Sequence, residues 1–467
     1  MPAPGWLFPT LHGYRRAWIG ADVLAGVSAG AVVIPQAMAY STIANLPVEI
    51  GLYTCMVPML VYAAIGGSRA MSVSTTSTIA TLTATTFVSA GVAAGSDDPT
   101  RALVTLTLLV GVVLVLAWVL KLGALVENIN HATLVGIKVG LGATVALGQV
   151  PKLLGVDVAV TGHGFIRTLN ATIAAVPSAN LPTVLFSVGT LLVLFVGRRV
   201  ASRVPWPLVV VVGGILLAGF TALPAAGVDL IDPVPTGLPL PGLPVLADIP
   251  ALLPGALAIA VMAFLESASV ARGIRQAADA PISSNQELLA TGAASLVGAF
   301  FHSLPAAGGF SQSAVNQRAG ARSQLASLVT VALAVLVALL LAPVLSLLPQ
   351  ATLAAMVFVA VVGLIDVPGM VRLWRLSRVE FWLSVATAVV GLAAGLIPAV
   401  AVGVVVTLLL VLRELNRPRI SVSTPAAGVL LVKLESPLYT ANVLGTASAV
   451  LAAAAAAGAG AAGAGAG

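Results

Sequence analysis

Apolar residues run in long stretches along nearly the whole chain, and the interruptions are few and sharply placed. Stretches long enough to span a bilayer recur from one end towards the other. They are continuous rather than alternating, which argues for helices and against a β-barrel. Read together with the breakers, the pattern predicts fourteen segments, two of them short. They fall near 20–44, 51–66, 74–92, 101–120, 124–149, 180–198, 206–222, 252–271, 284–302, 309–317, 321–346, 350–366, 379–395 and 398–412. Fourteen divides into seven and seven, and an odd number per half makes the halves inverted relative to each other. Segment 3 then pairs with segment 10, and segment 1 with segment 8.

Segments 3 and 10 are the polar, broken ones. The first opens on Met71-Ser-Val-Ser-Thr-Thr-Ser-Thr78 and the second on Ala307-Gly-Gly-Phe-Ser-Gln-Ser-Ala314. Interrupted hydrophobic segments at corresponding places in two halves are the best sequence pointer to a transporter's substrate site. A half-helix that begins at the membrane midplane exposes unpaired N–H groups and the positive end of its dipole. Two such ends facing each other make an anion site with no fixed positive side chain. Ser74, Thr75 and Thr76 stand where the first half-helix is expected to start, and Ser311, Gln312 and Ser313 stand at the second. Gly308 and Gly309 permit close backbone approach. The plainer alternative for these residues is helix capping and small-residue packing.

Composition agrees with a membrane interior. Only 8% of the 467 residues are charged and 59% are hydrophobic, against about 25% charged in soluble domains; mean hydropathy is +1.08. The net charge of +6 is spread over short loops and does not suggest nucleic acid. With the N-terminus inside, all 22 lysines and arginines fall on the cytoplasmic side except Arg101, Lys152 and Arg167 outside and Lys138 within a span. This is the asymmetry the positive-inside rule requires. The expected location is the inner (plasma) membrane, multi-pass, with both termini cytoplasmic. The N-terminus lacks the pattern of a cleaved leader.

Two further residues stand out. Glu266, in Phe264-Leu-Glu-Ser-Ala-Ser-Val-Ala-Arg272, is an acidic residue deep in an expected span. A carboxylate there is expensive and usually faces a cavity, as a proton carrier or cation partner; the alternative is a structural hydrogen bond or pairing with Lys138. Gln36 follows Pro35 in the first span and offers an amide where proline interrupts the backbone ladder, with Tyr40 one turn later on the same face. Gly26–Gly30, Gly136–Gly140 and Gly391–Gly395 are small-xxx-small spacings that mark close helix packing. The single cysteine, Cys55, reads as a packed small residue, and His12, His131, His163 and His302 have no ligand spacing. No metal or other cofactor is expected. No nucleophile–base set or phosphate loop is visible, so an enzyme is not expected.

Several ordered motifs resemble the sulfate permease (SulP) family, solute carrier family 26 in animals. They are Pro35-Gln-Ala-Met-Ala-Tyr-Ser-Thr-Ile-Ala-Asn-Leu-Pro47, Gly51-Leu-Tyr53, Ile65-Gly-Gly-Ser-Arg69, Asn285-Gln-Glu-Leu-Leu-Ala-Thr-Gly292, and Ser311-Gln-Ser-Ala-Val-Asn-Gln-Arg318. The resemblance implies an all-α polytopic membrane protein of fourteen spans in two inverted repeats of seven, 20–222 and 252–415, around an external loop at 223–251. It implies a core domain (spans 1–4 and 8–11), a gate domain (5–7 and 12–14), homodimers and an elevator-like motion. By motif position the anion site maps to Gln36, Tyr40, Thr75, Thr76, Phe310, Ser311 and Gln312, with Glu266 for a coupling ion. It further implies a cytoplasmic α/β STAS domain after a short 1–19 cytoplasmic segment and the two repeats. Gly428–Asn442 reads as that domain's first strand and turn, whereas Ala452–Gly467 is only alanine and glycine. The domain over 424–467 is therefore expected to be incomplete or to carry unassigned side chains.

Many animal members have an arginine where this chain has Gln312. Without that charge the anion relies on helix dipoles and neutral donors, and a negative Glu266 opposes it unless a cation accompanies the substrate. The expectation is therefore cation-coupled uptake, with H+ favoured and Na+ the alternative, rather than exchange. Sulfate, bicarbonate, chloride and dicarboxylates all suit such a site, with an oxyanion or dicarboxylate preferred. A nucleobase–cation symporter of the same architecture, an anion exchanger and a channel are the alternatives.

Overall fold

The computed structural model describes residues 7–92, 99–123, 131–156, 165–201, 204–276, 279, 281–363, 365–394, 420–426, 429–435 and 442–464, with a few positions between 402 and 409. The chain divides into two compact units, Met1–Ala401 and Val402–Gly467. In the first half of the larger unit lie α1 (Ile19–Ser41), α2 (Val48–Thr54), α3 (Val57–Ile65), β1 (Val73–Ser74), α4 (Ser77–Ser89), α5 (Pro99–Val119), α6 (His131–Leu154), α7 (Phe165–Ala175), α8 (Leu181–Val200) and α9 (Trp206–Phe220). After a long loop come α10 (Ile249–Gly273), α11 (Ser284–Ala299), β2 (Ala307–Gly308), α12 (Phe310–Arg318) and α13 (Leu325–Leu336). A π-helical turn at Val337–Leu341 then leads into α14 (Ala342–Leu345), α15 (Gln350–Val362), α16 (Val367–Leu376) and α17 (Arg378–Ala394). The smaller unit holds the antiparallel pair β3 (Ile420–Ala426) and β4 (Val429–Leu434), against which α18 (Val443–Ala464) packs.

Every expected span from 20–44 to 379–395 overlaps a helix, and the span expected at 398–412 lies mostly outside the described residues. Six helical stretches among the described residues are long and apolar enough to cross a membrane: Arg16–Ala44, Val48–Ile65, Pro99–Val119, Leu246–Gly273, Leu325–Leu345 and Gln350–Leu376. A seventh is possible by these criteria only if Phe165–Ser178 and Leu181–Gly197, bent by 118°, are joined. α4 and α12 are too short to cross alone. The second expected span is itself divided at Cys55–Met56, just before Pro58 at the start of α3.

Packing follows the small residues. α1 lies along α13 and α10 along α5; α4 packs on α10 and α12 on α1; α11 sits against α3 and α5; α6 packs on α17 and α15, with α8 also on α15. Gly26 and Gly136 show why these pairs come so close. A Cβ at Gly26 would collide with the carbonyl of Ala326, and one at Gly136 with the carbonyl of Ser384. Backbones at this separation need glycine. Ala25, Ala271, Ala290, Ala294, Ala306 and Ala326 form much of the buried cluster around Tyr62, Met71 and Val73, so the core is filled by close helix approach rather than by bulky side chains.

At the centre of the unit the chain leaves helical geometry twice, and the two excursions meet. β1 and β2 pair antiparallel, Val73 opposite Gly308 and Ser74 opposite Ala307, and the Gly309 N–H donates to the Ser72 carbonyl at 3.2 Å. Irregular backbone at membrane depth is tolerated only where its polar groups find partners inside the protein. Side chains of neighbouring helices supply them. The Gly308 N–H donates to Ser267 Oγ (2.9 Å), the Ser72 N–H to Ser313 Oγ (3.0 Å), the Ala306 N–H to Ser295 Oγ (3.0 Å) and the Leu304 N–H to Thr54 Oγ1 (3.0 Å). In the other direction Asn316 Nδ2 donates to the Ala70 carbonyl (3.0 Å), and Gln324 Nε2 donates to those of Ser68 (2.7 Å) and Met71 (2.8 Å).

Candidate functional site

α4 and α12 begin immediately beyond this crossing. α4 starts at Ser77, later than the Ser74–Thr76 start expected from the sequence, because Val73 and Ser74 are taken up by the strand pair. Thr76 is its N-cap, extended in backbone, and its hydroxyl accepts the Ile79 N–H at 3.3 Å. The same hydroxyl donates to Glu266 Oε2 at 2.7 Å. α12 starts at Phe310 behind Gly309, with no side-chain cap. Its first N–H groups, of Phe310 and Ser311, therefore have no acceptor among the described residues, which is the anion-binding condition of a helix N-terminus.

Both starts border one cavity of ≈ 1410 Å³. Its walls include Gln36, Tyr40, Thr75, Thr76, Glu266, Phe310, Ser311 and Gln312, so all eight positions named from the sequence come together there. α1 contributes a stripe of Leu24, Ser28, Val32, Gln36 and Tyr40, each one turn from the next. α1 continues as a helix through Pro35. Gln36, the next residue, lines the cavity. Gln312 is buried, and its Oε1 accepts from Ser74 Oγ at 3.0 Å, which joins the two half-helix starts by a side-chain bond. Thr75 and Thr78 are buried against the cavity with hydroxyls that lack a partner among the described residues. Ser311 is exposed to it, and Phe310 is 62% exposed at its rim. The arrangement offers an anion backbone N–H groups and hydroxyls from two opposed directions.

Glu266 does not pair with Lys138: the ion pair found among the described residues is Arg69–Asp279, at 3.6 Å. Its carboxylate is half-buried and held by Thr76.

Two buried carboxylates were not singled out by the sequence pattern. Asp22 is fully buried in the first turn of α1 and accepts from the backbone N–H groups of Arg322 (2.6 Å) and Ser323 (3.2 Å) and from Ser323 Oγ (2.8 Å). It fixes the loop that follows α12. Glu287 is fully buried near the start of α11 and accepts from Tyr62 Oη (2.9 Å) and the Gly67 N–H (3.3 Å). It fixes the loop that leads to β1. Both stand one turn inside a helix start, where an acidic residue reads as ordinary dipole compensation. The Asn285-Gln-Glu motif was the available signal for the second.

Comparison with known proteins places these features in context. The profile of the sulfate permease family matches residues 19–387. A probable sulfate transporter of Mycobacterium tuberculosis is 33% identical over 427 residues, covering 90% of this chain and 76% of that one. In fold, the chain resembles the murine solute carrier 26 family member A9 anion transporter in its inward-facing state. The TM-score is 0.84 at 21% identity, over 91% of this chain and 74% of that one. The transmembrane domain of a cyanobacterial bicarbonate transporter, BicA, aligns with a TM-score of 0.72 at 23% identity, over 83% of this chain and 98% of that domain.

Proposed function

The chain belongs to the sulfate permease family of membrane anion transporters, which are not enzymes, and on that premise we propose that it is a secondary active transporter that takes up sulfate, or another small oxyanion or dicarboxylate, together with a proton. The observation that carries this reading is the pair of half-helix starts, α4 and α12, opening into one cavity from either side of the β1–β2 crossing. Their dipoles and free N–H groups attract negative charge. The donors Gln36, Tyr40, Thr75, Thr76, Ser311 and Gln312 complete the anion's coordination, and Phe310 bounds it. A tetrahedral oxyanion presents several acceptor oxygens to such a shell. The likeness to a probable sulfate transporter of Mycobacterium tuberculosis favours sulfate among the candidates.

Glu266 is the coupling residue in this account. As a carboxylate it repels the incoming anion; as a carboxylic acid it does not, and its bond from Thr76 ties it to the N-cap of the half-helix. A proton bound with the substrate removes the repulsion, so the two enter together.

The architecture in this reading is fourteen spans in two inverted repeats of seven. Exchanging α1 with α10, α4 with α12, α5 with α13, α6 with α15 and α8 with α17 turns several of the main contacts into one another. Thus α1–α13 becomes α10–α5, α4–α10 becomes α12–α1, and α6–α17 becomes α15–α8. An antiparallel β1–β2 pair is what a two-fold axis through the crossing requires. The core (α1–α5 and α10–α14) carries the half-helices and slides, elevator-fashion, against a gate of α6, α8, α9, α15 and α17. The protein works as a homodimer in the inner (plasma) membrane with cytoplasmic termini and a STAS domain beyond the last span.

Uptake of radiolabelled sulfate into proteoliposomes, with and without an inward proton gradient, tests the proposal. Accumulation driven by the gradient is expected. Uptake that ignores the gradient removes proton coupling, and absence of uptake for sulfate, bicarbonate and dicarboxylates alike removes the transporter reading.

A further inference from the structure

Among the described residues, three charged side chains line the cavity: Glu266, Arg318 and Lys138. Glu266 and Arg318 stand on α10 and α12, in the wall that carries the half-helices. Lys138 stands on another helix, α6, which packs mainly against α17 and α15 and also touches α4. An ammonium well inside an apolar helix is costly, so a lysine there faces water or a partner for a reason. The reason is not packing. Gly136 and Gly140 lie flush on Ser384 and Ala388 of α17, and Gly142 on Ile365. Lys138 is two residues from both Gly136 and Gly140, about 200° round the helix, so the face that packs on α17 turns Lys138 toward the cavity it lines. Nor is the charge neutralised: the ion pair among the described residues is elsewhere, between Arg69 and Asp279.

The geometry points to Lys138 as a specificity-determining residue for anion charge, a fixed cation in the cavity that the two half-helix starts also line. It takes the place of the positive charge that Gln312 does not supply, from a different helix of the same cavity. It offsets the field of Glu266 in the shared cavity and draws a dianion into it. Coulomb energy scales with the charge of the substrate. Removing one fixed cation therefore weakens a dianion's binding by about the square of the factor lost by a monoanion: roughly tenfold for the first where the second loses about threefold. Selectivity for divalent over monovalent anions falls accordingly. The inference rests on the transport reading above.

The test uses the full chain in proteoliposomes. Cys55 is the only cysteine and is buried, so Lys138→Cys introduces one thiol accessible from the cavity. Aminoethyl methanethiosulfonate attaches an ammonium by a mixed disulfide, releasing methanesulfinate; the sulfonatoethyl reagent attaches an anion, and the methyl reagent attaches neither. The wild type is expected to import sulfate. In Lys138→Cys the sulfate KM should rise roughly tenfold with Vmax within about twofold. The aminoethyl reagent should restore it, the sulfonatoethyl reagent worsen it and the methyl reagent leave it. Lys138→Arg and Lys138→Gln repeat the comparison without reagents, and Arg is expected to stay near wild type. Equal recovery with all three reagents, or an unchanged sulfate KM in a variant of a working transporter, overturns this inference alone. A wild type that imports none of the anions overturns the transport reading and this inference with it.

Discussion

Thr76 performs two tasks with one hydroxyl, and the two can be separated. Its oxygen caps α4 by accepting the Ile79 N–H at 3.3 Å, and its proton goes to Glu266 Oε2 at 2.7 Å. Thr76→Val keeps the side-chain shape and removes both bonds. Loss of an N-cap costs about 1 kcal/mol. A hydrogen bond to a charged group contributes about 1.5–3 kcal/mol, and the half-buried setting of Glu266 places it at the lower end, about 1.5 kcal/mol. Thr76→Val should therefore destabilise the protein by about 2.5 kcal/mol. In a Glu266→Met background only the cap remains to be lost, about 1 kcal/mol. The difference, about 1.5 kcal/mol, is the coupling a double-mutant cycle reads. Thr76→Ser retains the hydroxyl and should match the wild type. The assay is the fraction of monodisperse protein surviving a temperature series in detergent, for the wild type, both single variants and the double variant. Equal destabilisation by Thr76→Val in both backgrounds, or a Thr76→Ser variant as weak as Thr76→Val, refutes the link between the half-helix cap and Glu266.

Three further perturbations have definite signs. Gln312→Glu preserves an oxygen for Ser74 but places a negative charge at the α12 start; sulfate uptake should fall by about two orders of magnitude at neutral pH while the thermal profile stays close to wild type. Asp22→Asn puts an amide where three donors converge, and should lower stability by about 2–4 kcal/mol, measured in the same temperature series. Gly136→Val forces a side chain into the Ser384 carbonyl, and folded yield by size-exclusion chromatography should collapse, whereas Gly148→Ala, which meets nothing within 4 Å, should be silent.

The residues of the candidate site stood out in the sequence because polar groups and glycines do not belong in an apolar helix. Pro35-Gln36, the Ser72–Thr78 run and Gly308–Gln312 all interrupt hydrophobic segments, and the cavity gathers Gln36, Thr75–Thr78 and Gly308–Gln312. What could not be read was the support behind them. Ser267, Ser295, Thr54 and Asn316 look like ordinary small polar residues of membrane helices; only the three-dimensional path of the β1–β2 crossing reveals that each satisfies a backbone group of the broken segments. α7 and α16 were also invisible to a search for apolar stretches. They are short helices with polar residues on one face, Arg372 and Arg375 among them in α16, and an average over a long window blends them into the loops. Asp22 and Glu287 were hidden for a different reason: a carboxylate near a helix start has a commonplace explanation, and burial is the property that sets these two apart.

An anion seated between the two helix tips is the centre of the proposed transport, and selenate locates it directly. Its selenium can be placed by anomalous scattering in crystals of the wild type. The expected position lies within hydrogen-bonding reach, about 2.7–3.2 Å from oxygen to nitrogen, of the Phe310 and Ser311 N–H groups, with the Thr75–Thr78 start of α4 on the other side. Selenium found only at Arg318 or outside the cavity, with the space before Phe310 and Ser311 empty at saturating selenate, would contradict it.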